Sequence, residues 1–448
     1  MHKKIKNIPI FVGILTVLLI SVFVIGKINL SHNEFVGPRP DTVKSNDTER
    51  NIKWVEDIDY FKKLLNGYIS RTLDIKNNEE DARISEVFTL EIERLKNDIP
   101  YLNNFEIEAR IQMITALFHD GHMATEFLWE SYYKNALPLS FTLYEDGIYC
   151  TTVFDKSYKN ALNCKLNAIN GVSIDTISDR FEIFFTGDNI YDSKSKLSRR
   201  INCPQVLKGL EIIESIEDPV TFTLTTLEGD TFDLYVDKRI NQDINHESFI
   251  KRDEGDEAFF NRDVKNDKDY WIEFLEENNI LYIRSYYIPH TNALDKLNEN
   301  ILNILTEKQV DKIVLDLRGN EGGQITLEHS WNDTLISFGN ETGHLYVITD
   351  YDTFSMGAVT AIYLKEKGNA VIIGLPPSGG APKVADMTPF ELPNSDFMVN
   401  IPQNKFRSKV KINPNLKDNI LEPDIQTGID INNYIHKTDP VLELIKTF

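Results

Sequence analysis

The sequence predicts an α/β protein in which a helical region and a β-rich region precede the α/β part. From residue 270 onward, short apolar runs typical of strands alternate with segments whose apolar residues recur at helical spacing. Such alternation predicts βαβ units around a largely parallel, buried sheet. Because 448 residues are too many for one ordinary core, several domains are expected.

The α/β part contains four strand candidates made almost wholly of apolar residues. Continuous apolar runs of this kind are typical of strands that are buried on both faces. Helical patterns lie at 293–306 and 357–367. The strand candidates are 280–283, 313–315, 345–348 and 371–373.

The region before residue 130 has helical periodicity. Trp54, Ile58 and Phe61 recur at helix spacing, and a further helix is expected at 106–118. Gly121 follows that helix and offers a C-cap and a turn. The sequence therefore predicts a helical amino-terminal domain.

The next region changes to a β-rich pattern. Alternating or β-branched runs at 147–152 and 220–224 predict strands, separated by turn residues. Residues 165–174 predict a tight hairpin, because an Asn170-Gly171 turn divides two apolar runs. The charged stretch that follows, 241–268, predicts a solvated connector to the α/β part.

These patterns predict six segments along the chain. A membrane anchor comes first, followed by a polar linker with two prolines, the helical domain, the β-rich domain, the charged connector and the α/β core. In that order the predicted boundaries are 1–28, 29–48, 49–130, 131–240, 241–268 and 269–448.

The amino end predicts a single membrane-spanning helix. Lys3, Lys4 and Lys6 precede an almost unbroken apolar run at 8–26. About 20 such residues span a bilayer, and the lysines favour a cytoplasmic amino terminus. A cleaved signal peptide is the alternative, but its apolar core is usually only about 7–15 residues long. We therefore expect a single-pass cell-membrane protein whose bulk is extracytoplasmic.

Composition excludes several classes of partner. The chain has 48 basic and 69 acidic residues, and its net charge of −21 argues against binding to nucleic acid or anionic lipid. Cys150, Cys164 and Cys203 leave room for one disulfide but form no disulfide framework. Because no cluster of histidines and cysteines has metal-ligand spacing, neither a metal nor another cofactor is expected.

Two loops at the ends of predicted strands predict a covalent acyl-transfer site. In α/β sheets, chemistry gathers at the carboxyl ends of the strands. Ser355 follows one strand and precedes a helix, so the Met356 N–H can stabilise an oxyanion formed at this serine. Gly322 or Gly323, after the neighbouring strand, would supply the second N–H donor. The alternative is a simple helix N-cap beside a structural glycine turn.

A serine nucleophile also needs a base, and His122 is the leading candidate. It follows Asp120 and Gly121 at the end of a predicted helix. Spacing alone does not bring residue 122 to residue 355, so other histidines remain open. These are His119, His290, His329 and His344.

Six segments, each weak alone, together resemble the S41 family of serine peptidases, in the family's order. This family includes the carboxyl-terminal processing proteases and the tricorn-type enzymes. The resemblance implies a ClpP/crotonase-like α/β core, a PDZ-like β-rich domain and serine peptidase activity. The segments are 117–122 with Asp-Gly-His, 166–174 with Asn-Gly, 316–323 with Asp-Leu-Arg-Gly-Asn-Glu-Gly-Gly, 353–355, 374–380 and 422–425.

The chain departs from the family pattern at several positions. Members with a Ser–Lys dyad carry lysine where this chain has Gly380, and the nearest lysine is Lys383. The resemblance therefore implies His122 as the base, as in the tricorn-like branch with an Asp-Gly-His motif. Met123 and Leu375 replace a threonine and a glutamate of the family. The residue that orients His122 stays open among Asp120, Asp418 and Glu422.

These observations predict a membrane-anchored serine peptidase that acts on polypeptides or peptides through an acyl-enzyme. The main alternative, motivated by the departures from the family, is a catalytically inactive scaffold that binds peptide or cell-wall material. A non-peptide esterase is a third possibility. The PDZ-like region would dock a peptide or serve only as a spacer. A separation of more than about 5–6 Å between His122 and Ser355 would exclude the dyad.

Overall fold

The computed structural model describes most of the chain from residue 44 onward. The described residues are 44–128, 135–185, 187–240, 250–251, 270–381, 383–384, 386–409, 411–412 and 415–448. No helix within these ranges is both long and apolar enough to cross a bilayer. The predicted membrane anchor at 1–28 and most of the predicted connector at 241–268 lie outside them.

Helices dominate the amino-terminal region, as predicted. They are α1 (Thr48–Thr72), α2 (Glu79–Asp98) and α3 (Asn104–Ala116), followed by a short strand, β1 (Ala124–Thr125). Asn78 caps α2, because its side chain accepts hydrogen bonds from two N–H groups of the first turn. A reciprocal capping box between Asn103 and Glu106 begins α3.

An antiparallel sheet forms the β-rich region. Its strands are β2 (Leu139–Tyr144), β3 (Gly147–Val153), β4 (Lys165–Ile169), β5 (Val172–Ser173), β6 (Val220–Thr225), β7 (Thr231–Val236) and β8 (Ile250–Lys251). Five lie in the order β2-β3-β4-β6-β7, while β5 pairs with β4 and β8 pairs with β3. The predicted hairpin is confirmed, since Asn170 and Gly171 join β4 to β5 with φ of +47° and +77°.

Three helices between β5 and β6 were not predicted from the sequence. They are α4 (Ile174–Phe184), α5 (Ile190–Arg200) and α6 (Pro204–Gly209). The face that α5 buries includes Asp192 and three serines, Ser193, Ser195 and Ser198. Because Leu197 is the one large apolar residue on that face, the helix has no apolar stripe to identify it.

A mostly parallel sheet forms the carboxyl-terminal part, and with the regions above it confirms the predicted mixed α/β fold. The strands are β9 (Tyr270–Leu275), β10 (Ile280–Ser285), β11 (Lys312–Asp316), β12 (Leu345–Thr349), β13 (Val371–Gly374), β14 (Pro389–Glu391), β15 (Met398–Asn400) and β16 (Ile425–Gln426). Six of them lie in the order β16-β13-β12-β11-β10-β9, and only β9 is antiparallel to its neighbour.

Helices cover this sheet and complete the chain. They are α7 (Thr291–Glu307), α8 (Ser330–Thr342), α9 (Met356–Gly368), α10 (Ile431–His436) and α11 (Pro440–Thr447). Short 3₁₀ turns lie at Ile99–Tyr101, Glu126–Leu128, Lys156–Ala161, Glu276–Asn278 and Lys417–Asn419.

The hydrophobic cores show how these regions are joined. One cluster of buried side chains combines the amino-terminal helices, the antiparallel sheet and residues around β15, for example Phe88, Phe222 and Val399. The strand β15 reaches this cluster by pairing with β1. Two further clusters include Trp331 and Tyr282, respectively, and belong to the parallel sheet and its helices. The helical and β-rich regions thus share a core, and the predicted domain boundaries stay a prediction.

A buried group of charges holds the glycine-rich turn that follows β11. Asp316 is fully buried and pairs with Arg284 and Arg318, each at 2.5 Å. Arg318 also binds Asp439 at 2.7 Å, and the Tyr282 hydroxyl donates to Asp316. Burial by itself would raise the pKa of Asp316, but the two guanidinium groups hold it well below its ordinary value. These contacts tie the end of β11 to β10 and to the start of α11.

Replacing Asp316 by asparagine tests the weight of this charge group. We expect Asp316→Asn to lower the free energy of unfolding by about 3–5 kcal/mol, because the buried guanidinium of Arg284 loses its carboxylate partner and that of Arg318 keeps only Asp439. Urea denaturation of the full-length protein measures the change. The control is Glu93→Gln, which removes an exposed ion pair with Lys62 and should leave the free energy of unfolding nearly unchanged. Equal losses in the two variants would contradict the prediction.

Candidate active site

Ser355 lies in a strained turn between β12 and α9. Its φ of +49° and ψ of −126° are rare for a residue with a Cβ. Strain of this kind costs on the order of 1–3 kcal/mol and persists only where neighbouring structure enforces it. The Phe354 N–H donates to the Asn320 carbonyl at 2.8 Å, which ties this turn to the glycine turn. The Ser355 side chain makes no capping hydrogen bond to α9, so the N-cap alternative does not account for its hydroxyl.

His122 lies within hydrogen-bond distance of Ser355. Its Nε2 is 3.1 Å from Ser355 Oγ, although 233 residues separate the two. This distance is within the range of about 2.6–3.2 Å expected of a nucleophile and its base. The imidazole also packs on the Phe354 ring, with centroids 4.9 Å apart. Within the described residues no such hydrogen bond links Ser355 to the competing histidines, His119, His290, His329 and His344.

Asp120 is the carboxylate that contacts His122. The two residues belong to one turn, in which the His122 N–H donates to Asp120 Oδ1 at 2.9 Å. The same Oδ1 lies 3.4 Å from Nδ1 of the imidazole. Tyr68 of α1 donates its hydroxyl to Asp120 Oδ2 at 2.7 Å. Because both oxygens of Asp120 accept hydrogen bonds, the carboxylate is held in position beside the ring.

The other two carboxylates named from the sequence do not reach His122. Asp418 and Glu422 are exposed, and within the described structure neither pairs with the imidazole. Asp418 lies in the 3₁₀ turn Lys417–Asn419 with φ of +52°. Of the three carboxylates considered, the structure therefore places Asp120 alone at His122.

A lysine base has no place at the position where the Ser–Lys members of the family carry one. A Cβ on Gly380 would lie 2.2 Å from Nδ2 and 2.5 Å from the carbonyl oxygen of Asn419, so a side chain there would require Asn419 to move. Lys383, the nearest lysine in the sequence, is exposed. The side chain that the structure places at the Ser355 hydroxyl is therefore His122 and not a lysine.

Asp188, which lies between α4 and α5, was not predicted as a site residue. Its Oδ1 accepts the Gly121 N–H at 2.8 Å, directly beside His122 in the chain. It lies in the loop between two helices that were not predicted from the sequence. The resemblance to the family also names no residue here, so no signal in the sequence singles it out.

The charges around His122 make the imidazole a stronger base. Burial by itself would lower the pKa of His122, but Asp120 and Asp188 raise it above the ordinary value. Burial by itself would raise the pKa of Asp120, yet the contacts with His122 and Tyr68 keep it below the ordinary value. Burial raises the pKa of Asp188 to about 6, although the charge of His122 opposes this rise. Asp120 is thus ionised at neutral pH.

Two backbone N–H groups are available for an oxyanion. Within the described residues, neither the Met356 N–H nor the Gly323 N–H has an acceptor. The Gly322 N–H instead donates to the Asn320 side chain at 2.9 Å. Gly322 still packs against the nucleophile, since a Cβ there would lie 3.1 Å from Ser355 Oγ. Of the two glycines named from the sequence, Gly323 is the better donor and Gly322 makes the close approach possible.

The segment 187–199, which includes all of α5 but its last residue, contacts every loop of the site. Asn189 donates to the Pro377 carbonyl at 3.1 Å, and Lys196 donates to the Gly121 carbonyl at 3.0 Å. Arg199 at the far end pairs with acidic residues of the glycine turn and the nucleophile loop, Glu321 and Asp352. A helix of the β-rich region thus connects the His122 turn to the loops of the parallel sheet.

Three side chains at the site have atoms of the kind that bind metal ions. Ligand atoms of Asp120, His122 and Asp188 lie within 4.8 Å of one another. However, the carboxylates already accept hydrogen bonds from Tyr68 and from backbone N–H groups, and His122 Nε2 faces Ser355. This arrangement fits proton transfer to and from the serine better than coordination of a cation.

Comparison with known proteins adds a finding on the fold. No family model matches the sequence, and no curated protein matches it either. Among solved structures, mature CPAF in complex with lactacystin matches with a TM-score of 0.58 and 10% identity. The match covers 89% of this chain and 98% of that one. The chain has the fold of an S41-type peptidase.

Two further solved structures also match this chain, with different TM-scores. Mature CPAF alone matches with a TM-score of 0.56 and 10% identity, over 89% of this chain and 96% of its own. A putative S41 protease from Bacteroides fragilis matches less well, with a TM-score of 0.33 and 14% identity over 74% of this chain and 86% of that one. The predicted resemblance to the family is confirmed at the level of the fold.

A substitution at Gly322 tests the close approach of the two turns. We expect Gly322→Ala to slow labelling of Ser355 by a fluorophosphonate probe about 100-fold, because the new Cβ displaces the reacting atoms. That Cβ would lie 2.7 Å from the Ser355 Cβ, at a residue with φ of +116°. Gly229→Ala is the matched control, since Gly229 has φ of +95° but no atom within 4 Å. Equal labelling of both variants would contradict the assigned packing.

Proposed function

We propose that this chain is a membrane-anchored, extracytoplasmic serine peptidase that cleaves polypeptides or peptides through an acyl-enzyme. The observation that carries the proposal is the distance of 3.1 Å between His122 Nε2 and Ser355 Oγ. The strained turn at Ser355 and the free N–H groups of Gly323 and Met356 support it. The membrane anchor rests on the apolar run at 8–26 and remains a prediction.

Acylation begins when Ser355 Oγ attacks the carbonyl carbon of the scissile bond. His122 Nε2 accepts the hydroxyl proton, and Asp120 stabilises the imidazolium that results. The negative charge on the carbonyl oxygen is stabilised by the N–H groups of Gly323 and Met356. When the tetrahedral intermediate collapses, His122 gives its proton to the leaving amine, and the peptide C–N bond breaks.

Deacylation repeats the same steps with water. His122 takes a proton from the water molecule as its oxygen attacks the ester carbon. The second tetrahedral intermediate uses the same two N–H donors. Its collapse releases the carboxyl product, and Ser355 Oγ recovers its proton from His122.

The inactive scaffold is less well supported than the peptidase. A separation of more than about 5–6 Å between His122 and Ser355 would have excluded the dyad, whereas Nε2 and Oγ lie 3.1 Å apart. Of the departures from the family that motivated it, Gly380 is explained by the close packing of Asn419. An esterase would use the same hydroxyl and is distinguished by comparing ester and peptide turnover.

Removal of either member of the pair tests the proposal directly. In the full-length protein we expect a fluorophosphonate probe to label Ser355, as shown by mass spectrometry of the modified peptide. Ser355→Ala should abolish the labelling, and both Ser355→Ala and His122→Ala should lower kcat for a peptide by roughly 10⁴–10⁶-fold. Labelling that survives Ser355→Ala would remove this residue from the nucleophile role. The exposed His344→Ala serves as the control and should keep full activity.

The pH dependence of kcat/KM tests the role of His122 as a base. Only the neutral imidazole accepts a proton, and the His122 pKa lies above its ordinary value of 6.5. We therefore expect kcat/KM to rise with pH through a midpoint above 6.5, and to fall about tenfold for each unit below that midpoint. Initial rates with a peptide substrate between pH 5 and about 9 measure the profile. A rate that is independent of pH across this range would contradict a histidine base.

A further inference from the structure

Asp188 is a second carboxylate beside His122 that the mechanism above leaves without a role. It lies in the loop between α4 and α5 and is partly buried. A carboxylate oxygen of Asp188, a carboxylate oxygen of Asp120 and a ring nitrogen of His122 lie within 4.8 Å of one another. One imidazole thus faces two carboxylates that come from distant parts of the sequence.

The hydrogen bonds of Asp188 join the two halves of the catalytic pair. Oδ1 accepts the Gly121 N–H at 2.8 Å, and Oδ2 accepts the Gly380 N–H at a longer 3.4 Å. Its own carbonyl accepts from Nδ2 of Asn419 at 3.1 Å. Gly121 precedes His122, while Gly380 follows Gly379, which packs on the Ser355 backbone. One side chain therefore connects the turn of the base to the loop behind the nucleophile.

The charged groups around His122 do not cancel the effect of the Asp188 carboxylate on the imidazole. Asp120 and Tyr68 approach from the His122 turn and α1, and Asp192 and Lys196 approach from α5. Lys196 is bonded to Asp192 at 2.9 Å, so these two charges offset each other. What faces the imidazole is then chiefly the pair of carboxylates, Asp120 and Asp188.

We propose that Asp188 is a positioning residue, which holds the His122 turn against the nucleophile loop and stabilises the imidazolium formed during acylation. The inference rests on the proposed function, since it assigns a part in the same proton transfer. Asp120 would orient the ring through a local contact, while Asp188 would add charge and fix the turn from a separate region. No atom of Asp188 touches the substrate in this role, so it acts only through His122.

The role predicts a link between Asp188 and the proton affinity of His122. A carboxylate within about 4–6 Å raises the pKa of an imidazole, commonly by one unit or more. Replacing Asp188 by asparagine removes the charge but keeps an oxygen that can accept the Gly121 N–H. A purely structural role would leave the pKa of His122 in place, whereas the proposed role lowers it.

The experiment measures the His122 pKa without requiring turnover. Full-length Ser355→Ala protein with ¹⁵N-labelled histidine is titrated by NMR, and the His122 signal is assigned by its loss in His122→Gln. Adding Asp188→Asn should lower the His122 pKa by about one unit. Asp155→Asn is the matched control, because Asp155 pairs with Lys238 at 2.6 Å outside the site. A His122 pKa that falls no further than in this control overturns the proposal.

Peptide hydrolysis by the Asp188→Asn variant, in protein that retains Ser355, separates the two proposals. The acid limb of kcat/KM should move to lower pH in Asp188→Asn by the same amount as the NMR pKa. If the NMR shift is present but no peptide is cleaved by the parent protein, the proposed function fails and the positioning role stands. If peptide is cleaved and the His122 pKa does not shift, the positioning role fails alone.

A second measurement applies if Asp188→Asn does not fold. Because the pKa of Asp188 is about 6, the His122 resonance of the protein with Asp188 intact should show an additional inflection near that pH. The inflection reports protonation of the neighbouring carboxylate rather than of the ring. A His122 titration that shows a single inflection over the whole pH range in which the protein is folded would overturn the proposal without any change at residue 188.

Discussion

The hydrogen-bond distance between His122 and Ser355 is the constraint on which the rest of the site depends. Separated by 233 residues, the two must stay 3.1 Å apart for a proton to pass between them. Ser355 sits in a strained backbone conformation that is stable only if its neighbours enforce it. The neighbours come from the parallel sheet, from the turn after α3 and from the segment 187–199. The geometry of the His122–Ser355 pair therefore depends on contacts between regions and not on any one loop.

Two groups of charges serve different ends in this arrangement. Asp316, Asp439 and two arginines are buried together, with every charge paired, and they anchor the glycine turn. Around His122 the balance is uneven, because two carboxylates face one imidazole. Full pairing stabilises structure, since a buried charge without a partner is costly. The excess of negative charge at His122 instead favours its protonated form, which is the state that the proposed acylation step would form.

The fold was largely predictable, for reasons that particular elements make plain. The apolar runs of β10, β11, β12 and β13 identify strands because a parallel sheet is buried on both faces. The Asn170-Gly171 turn is specific, since type I′ geometry demands positive φ at both residues. By contrast, α5 was missed because it buries serines and an aspartate rather than an apolar stripe. Patterns of hydrophobicity reveal elements that pack by apolar contact and overlook those that pack through hydrogen bonds.

The sequence by itself determined the α/β fold class, the serine and glycine turns at the strand ends, and His122 as the leading base among several histidines. These follow from local chemistry and from motifs in a fixed order, both of which can be recognised in the sequence. Only the tertiary structure decided that His122 reaches Ser355, that Asp120 contacts it while Asp418 and Glu422 do not, and that Asp188 completes the group. The reason is physical: hydrogen bonds between residues far apart in the chain depend on how regions pack, and spacing along a chain carries no such information.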